Sequence, residues 1–232
     1  MKEKRMKGTP ESRRRKALRR SAAFLLTAAV LQITGLYGFF PTAGLRYGEE
    51  SVNCGRTKVV AWRGGDAWNR LLLCGANDNA LLIGESVFTC AGWMDGGVSA
   101  ADCSAPGPFH AVISFAGGGM AAERRIDCRF LAFGRVDDPD IQTVEIRFRV
   151  RTGVQDGAPL YEDRYTFTSD RREWIQKDGR AYFLLERQPM PWDTGEAALV
   201  LTTAYDGEGK VVAASEGFQT DWREQGENVN FL

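Results

Sequence analysis

Ile141-Gln142-Thr143-Val144-Glu145-Ile146-Arg147-Phe148-Arg149-Val150-Arg151 sets Val144, Ile146, Phe148 and Val150 against Thr143, Glu145, Arg147 and Arg149. Successive side chains of a strand point to opposite faces, so this alternation predicts one buried face and one wet face. That is the pattern of an antiparallel sheet or sandwich. Asp137-Asp138-Pro139-Asp140, just upstream, reads as the turn that aims the strand.

Working outward, Arg129 to Phe133, Arg164 to Thr168, Ala181 to Glu186, Ala197 to Tyr205 and Lys210 to Ala214 are further strand candidates. Lys177-Asp178-Gly179-Arg180 and Asp206-Gly207-Glu208-Gly209 read as hairpin turns between strands. Short strands with no helical stretch among them predict a mainly β chain over 129–232, an immunoglobulin-like or related antiparallel β-sandwich. Residues 46–128 hold strand candidates at Lys58 to Trp62, Leu71 to Cys74, Ala80 to Phe88 and His110 to Phe115. The Gly-, Ser- and Ala-rich chain between Cys90 and Pro108 reads as a long loop. No linker separates 46–128 from 129–232, so the two are expected to pack as one unit, with a small subdomain as the alternative.

The N-terminus is of a different kind. Residues 1–20 hold ten basic and two acidic residues, a net +8, while the rest of the chain has 20 basic and 28 acidic, a net −8. An uncharged run from Ser21 to Leu45 follows, with its apolar heart from Ala22 to Phe40. A helix of that length spans roughly 28 Å, close to a bilayer core of about 30 Å. Residues 21–45 are therefore expected to form a transmembrane signal-anchor helix, with Tyr37, Phe39 and Phe40 at the interface and Pro41 ending it. The apolar run is longer than that of a cleaved signal peptide and lacks a small-x-small site at its end. The positive-inside rule makes 1–20 a basic cytoplasmic tail that touches anionic lipid, and places the C-terminal domain outside the plasma membrane. Nucleic acid is the weaker partner for this tail.

Five cysteines, Cys54, Cys74, Cys90, Cys103 and Cys128, all fall in the first half of the exported part. In an oxidising space they predict two disulfides and one leftover thiol, in pairings that spacing leaves open. Zinc is disfavoured by the absence of a C-x-x-C pair and by a single histidine, His110.

At Phe133-Gly134-Arg135-Val136-Asp137-Asp138-Pro139-Asp140-Ile141-Gln142-Thr143-Val144-Glu145-Ile146 the chain resembles a family of uncharacterised membrane-anchored proteins of Gram-positive bacteria. That family joins such a segment to a later YD-x-x-GK hairpin, matched here by Tyr205-Asp206-Gly207-Glu208-Gly209-Lys210. The resemblance covers roughly residues 85 to 215 and implies an extracytoplasmic β domain on a signal anchor. It implies no activity and no site residue, and the cysteines lie outside its pattern.

No catalytic constellation is read. G-x-S-x-G is absent, and a histidine mechanism would have to use His110, with Cys103 as the nearest thiol. Acidic residues concentrate in turns (Asp137, Asp138, Asp140, Asp206, Glu208), where they stabilise the turn itself or, less simply, hold calcium. Gly117-Gly118-Gly119 lacks the Lys-Ser/Thr of a phosphate loop. No cofactor or metal ligand set is assigned. Of Trp62, Trp68, Trp93, Trp174, Trp192 and Trp222, the best ligand-binding candidates are Trp192, in Pro189-Met190-Pro191-Trp192, and Trp93. The expected function is a non-catalytic, membrane-tethered extracytoplasmic binding domain of the bacterial cell envelope, partnered by another envelope protein or a wall polymer. An envelope-facing enzyme using acidic residues or a free cysteine, and a regulatory subunit of a membrane complex, are the alternatives.

Overall fold

The computed structural model describes residues 10–33, 38–65, 67–116, 125–193 and 198–220. Within them, the side chains of 10–13, 28, 31–33, 116, 125–128, 188–193 and 217–220 are not described. The described chain is mainly β, with three four-stranded antiparallel sheets and strands numbered along the sequence. The first sheet is a meander of β1 (Lys58–Gly64), β2 (Arg70–Ala76), β3 (Ala80–Thr89) and β4 (Gly92–Asp102). The middle sheet orders β5 (Phe109–Ala116), β6 (Arg125–Val136), β10 (Arg180–Asp193) and β9 (Ile175–Lys177) side by side. The last sheet orders β12 (Val211–Thr220), β11 (Ala198–Tyr205), β7 (Thr143–Gln155) and β8 (Ala158–Asp170). The division expected at 128/129 falls inside β6, and the middle sheet draws strands from both sides of it.

β6 explains the layering. From Arg129 to Val136 every residue is buried. Leu131 and Phe133 point into a core shared with Leu72, Cys74, Leu81 and Ile83 of the first sheet. Phe130, Ala132 and Val136 point the other way, into a core shared with Ile146, Phe148 and Val200 of the last sheet. A strand buried on both faces shows an unbroken apolar run in place of alternation. Rings line both faces: Phe133 stacks on Tyr182 of the neighbouring strand β10 at 5.7 Å, and Phe130 stacks across the seam on Phe167 of the last sheet at 5.0 Å. Gly134 is a contact requirement, since a Cβ there would lie 2.1 Å from the Phe183 ring.

β7 fulfils the alternation. Val144, Ile146, Phe148 and Val150 are buried and their odd-numbered neighbours are half-exposed. The predicted hairpins at Asp178-Gly179 and Asp206–Gly209 are present. The first turns through positive φ of 52° and 75°. The two segments of the resemblance meet at one corner, where the Gln142 amide donates to the Tyr205 carbonyl at 2.8 Å.

The loop expected between Cys90 and Pro108 is corrected: most of it is β4. Its small residues reflect what lies above it. Helix α2 (Thr42–Ser51) crosses β3 and β4 and buries Gly44, Leu45, Gly48 and Glu49. A Cβ at Gly44 would meet the Met94 carbonyl at 2.8 Å, and one at Gly48 would meet Val98 at 3.0 Å. Leu45 forms a third core with Leu73 and Leu82 on this outer face. The buried Glu49 carboxylate accepts from the Thr57 amide at 2.8 Å, from the Thr57 hydroxyl and from Arg46, which also donates to the Thr57 carbonyl. The molecule is thus layered as α2, first sheet, middle sheet, last sheet.

The expected helix over residues 21–45 is corrected at its far end. Helix α1 (Pro10–Ile33) begins inside the basic block, and Gly38 already bridges Trp93 in the first sheet. Pro41 starts α2 where it was expected to end the anchor, and Leu45 is core. Among the described residues no helix is long and apolar enough to cross a membrane. The apolar part of α1, Ser21 to Ile33, is 13 residues, about 20 Å at 1.5 Å each. Residues 1–9, Gly35, Tyr37, Gly117 to Gly119 and Trp222 lie outside the described residues.

Candidate functional site

Sheet edges expose backbone donors and acceptors that the interior strands have already paired. β1 and β9 are the edges of the first and middle sheets, and they run beside one another. Between them lies an open groove of about 510 Å³ lined by Val60, Ala61, Trp62, Arg63, Gly64 and Ile175. A register shift between Val59 and Ala61 bends β1 here, and Trp62 is 62% exposed.

Side chains frame this edge. Lys177 Nζ donates to the Val59 carbonyl and Arg129 to the Gly64 carbonyl, which closes both ends to strand addition. Glu186 pairs with Arg129 at 2.7 Å and with Arg63 at 3.6 Å; Lys58 pairs with Asp178 at 2.7 Å. Four cations (Lys58, Arg63, Arg129, Lys177) thus face two carboxylates (Asp178, Glu186). The middle of the groove is left to the exposed indole of Trp62, a flat apolar face beside a guanidinium. Such a surface suits contact with an extended ligand.

The residues expected from sequence are scattered. Trp93, half-buried on β4, meets Phe88 at 5.2 Å and bridges Gly38, away from the groove. Trp192 lies in β10, with its side chain outside the described residues. Trp174 is core, its Nε1 donating to Ser169 Oγ at 3.2 Å. Sequence reasoning passed over Trp62 because its exposure follows from the register shift, which no periodicity announces.

The disulfide expectation is corrected. Cys54, Cys74, Cys90 and Cys103 are free thiols, and the Cys128 side chain lies outside the described residues. Cys74 and Cys103 sit in the apolar core between the first and middle sheets, where they pack as small hydrophobes. Cys90 is exposed in the β3–β4 turn and Cys54 is half-buried after α2.

Cys103 and His110 share a neighbourhood of Arg135, Asp137 and Asp102. Burial pushes the Cys103 thiol up to about 11, with Asp102 and Asp137 adding to the rise against Arg135. Burial, then Arg135, holds the His110 imidazole below its ordinary value against the pull of Asp137 and Asp102. Both groups are thereby neutral near pH 7, the opposite of the thiolate–imidazolium pair that nucleophilic catalysis uses. Cys74 is still less reactive, pushed up to about 12 by burial.

Arg135 is a clamp: it holds Asp137 at 2.9 Å and donates to the Asn77 and Asp78 carbonyls at 3.2 and 3.1 Å, tying the middle sheet to the β2–β3 turn. The acidic turns act on their own backbones. Asp138 Oδ1 accepts from the Asp140 amide, and Asp206 Oδ1 accepts from the Glu208 and Lys210 amides, each at 2.9 Å. Among the described residues no group of three or more His, Cys, Asp or Glu is placed to hold a metal ion.

Comparison of the chain with protein-family models, with curated proteins and with solved structures found no match.

Proposed function

We propose that the chain is a non-catalytic binding module, tethered by its N-terminal segment to the bacterial plasma membrane and working on the outer face. The observation that carries the binding reading is the open groove between the edge strands β1 and β9, with Trp62 exposed in it. Its ligand is an extended segment of another envelope protein or of a wall polymer, laid against the indole and within reach of Arg63. A shallow groove with a flat aromatic suits holding a chain better than enclosing a small reactant.

The tether rests on the +8 of residues 1–20, on the uncharged run after Arg20 and on the exposure of α1, whose described side chains from Arg14 to Thr27 all face outward. Between Arg20 and the Gly38 bridge there are 17 residues, the lower end of what spans a hydrocarbon core. The middle and last sheets, packed face to face around one core, are the part that supports an immunoglobulin-like or related sandwich.

The test uses the full chain in detergent, immobilised and exposed separately to purified Gram-positive cell-wall sacculi and to solubilised membrane proteins. One of the two is retained, and Trp62→Ala weakens retention about tenfold, as expected for loss of a modest aromatic hot spot. Equal retention by Trp62→Ala, or no retention with turnover of an envelope substrate, would sink the proposal.

A further inference from the structure

The first sheet exposes a second set of aromatics, at the end where the N-terminal segment joins it. Phe39 and Phe40 are 78% and 73% exposed, and Trp68 is 89% exposed. Backbone hydrogen bonds gather them. Gly38, next to Phe39, exchanges two with Trp93, at 2.7 and 2.8 Å. The Phe88 amide donates to the Asn69 carbonyl at 2.7 Å, and Asn69 Nδ2 returns a bond to the Phe88 carbonyl at 3.0 Å, which brings Trp68 to the same end. Phe88 and Trp93 touch ring to ring. The hairpin tip from Ser86 to Met94 contains no charged residue, nor does the chain from Gly38 to Leu45.

We infer that this end of the first sheet is a lipid-facing surface: Phe39, Phe40, Trp68, Phe88 and Trp93 sit in the interfacial layer of the membrane that holds the N-terminal segment. The inference rests on the proposed tether and extends lipid contact from the helix to the β domain itself. Two independent features select lipid as the occupant. The patch is covalently continuous, through Gly38, with an apolar segment whose Phe24, Leu25, Leu26 and Val30 are themselves exposed. Its composition, Trp and Phe rings on largely uncharged segments with the Arg70–Glu85 ion pair at its border, suits the interfacial layer where aromatic rings gather at bilayer surfaces. Exposed rings gathered in this way are rare on a surface that meets only water. The geometry also gives the seat a purpose. A domain held by both a helix and a ring of aromatics has a fixed tilt, and the β1–β9 groove is then presented in a fixed direction.

The full chain, reconstituted in phosphatidylcholine vesicles with anionic phosphatidylglycerol, tests this by tryptophan quenching with lipids carrying a nitroxide near the headgroup. The lipid-quenched intensity falls in Trp68→Phe and in Trp93→Phe and is unchanged in Trp174→Phe, whose ring is core. An alkaline carbonate wash reports the tether separately. Protein that stays in the wash pellet while both variants quench like wild type overturns the seat and spares the tether. Protein released by the wash while the Trp68 contribution persists overturns the tether and spares the seat. Loss of both overturns both. Trp68 emission that depends on protein concentration and not on the lipid quencher assigns the patch to self-association and overturns the inference.

Discussion

The first and last sheets have the same strand count and the same antiparallel pairing, yet they meet water in different ways. The last sheet buries one face and wets most of the other, on which Leu199 and Thr203 of β11 are buried. On that wet face Glu145 accepts from the Tyr205 hydroxyl at 3.1 Å and lies 3.2 Å from Arg147, while Asp163 lies 3.6 Å from Arg147 and 2.8 Å from Arg149. The first sheet has no such face. The middle sheet covers one side and α2 much of the other, so its exposed aromatics fall at its edge and its end. A sheet with one wet face can satisfy that face with its own ion pairs. A sheet covered on both sides leaves its rim exposed, and Trp62 and Trp68 are on that rim.

Truncating neighbouring residues would break or sharpen this contrast most strongly. In the last sheet, Phe148→Ala costs about 4 kcal/mol, because a buried ring leaves a cavity, whereas its neighbour Arg149→Ala costs under about 1 kcal/mol. In the first sheet the neighbours Leu81 and Leu82 are both fully buried, on opposite faces, so either change to Ala costs about 3 kcal/mol. Urea unfolding at constant m-value reads both pairs. A cheap Leu82→Ala would mean that α2 does not cover the sheet.

That contrast also explains what the sequence made legible. β7 was readable to within a few residues because alternation is a local signal. Leu71 to Ala76 and Ala80 to Gly84 show only apolar runs, which say "buried" without saying against what. β4 was hidden by composition, since its glycines and alanines reflect the closeness of α2 and imitate a loop. α2 itself was hidden because Pro41 and the uncharged Thr42 to Leu45 read as the tail of an anchor. The free cysteines correct an inference from compartment to pairing: Cys74 and Cys103 fill a core. The groove was the least legible feature, being made by two strands more than 110 residues apart and a register shift in one of them.

A smaller effect tests how α2 is held. Glu49→Ala leaves Arg46 and the Thr57 amide without their acceptor and costs about 3 kcal/mol, whereas Glu49→Gln keeps one acceptor and costs less. Equal losses would show that packing of Leu45, and not the carboxylate, fixes the helix.

The smallest effect is a pH slope at the seam between the first and middle sheets. His110 has a lowered pKa in the folded state, so the unfolded chain binds the extra proton first as pH falls. Its contribution to stability is therefore complete above about 6.5 and declines as pH drops below that value through the folded pKa. Melting temperature should fall on going from pH 7 to pH 5, and His110→Gln should flatten that part of the fall. An unchanged slope in the variant assigns the loss to carboxylates elsewhere.

The groove reading is tested most directly by placing a photo-reactive benzoylphenylalanine at position 62, in the groove, and in a second protein at position 166, on the wet face of the last sheet. Each full-length protein is irradiated in native membranes of the expressing bacterium. A discrete, ligand-bearing adduct is expected from position 62 and none from position 166. No adduct from position 62, or equal adducts from both, would contradict the assignment of the binding surface to the edge of the first sheet.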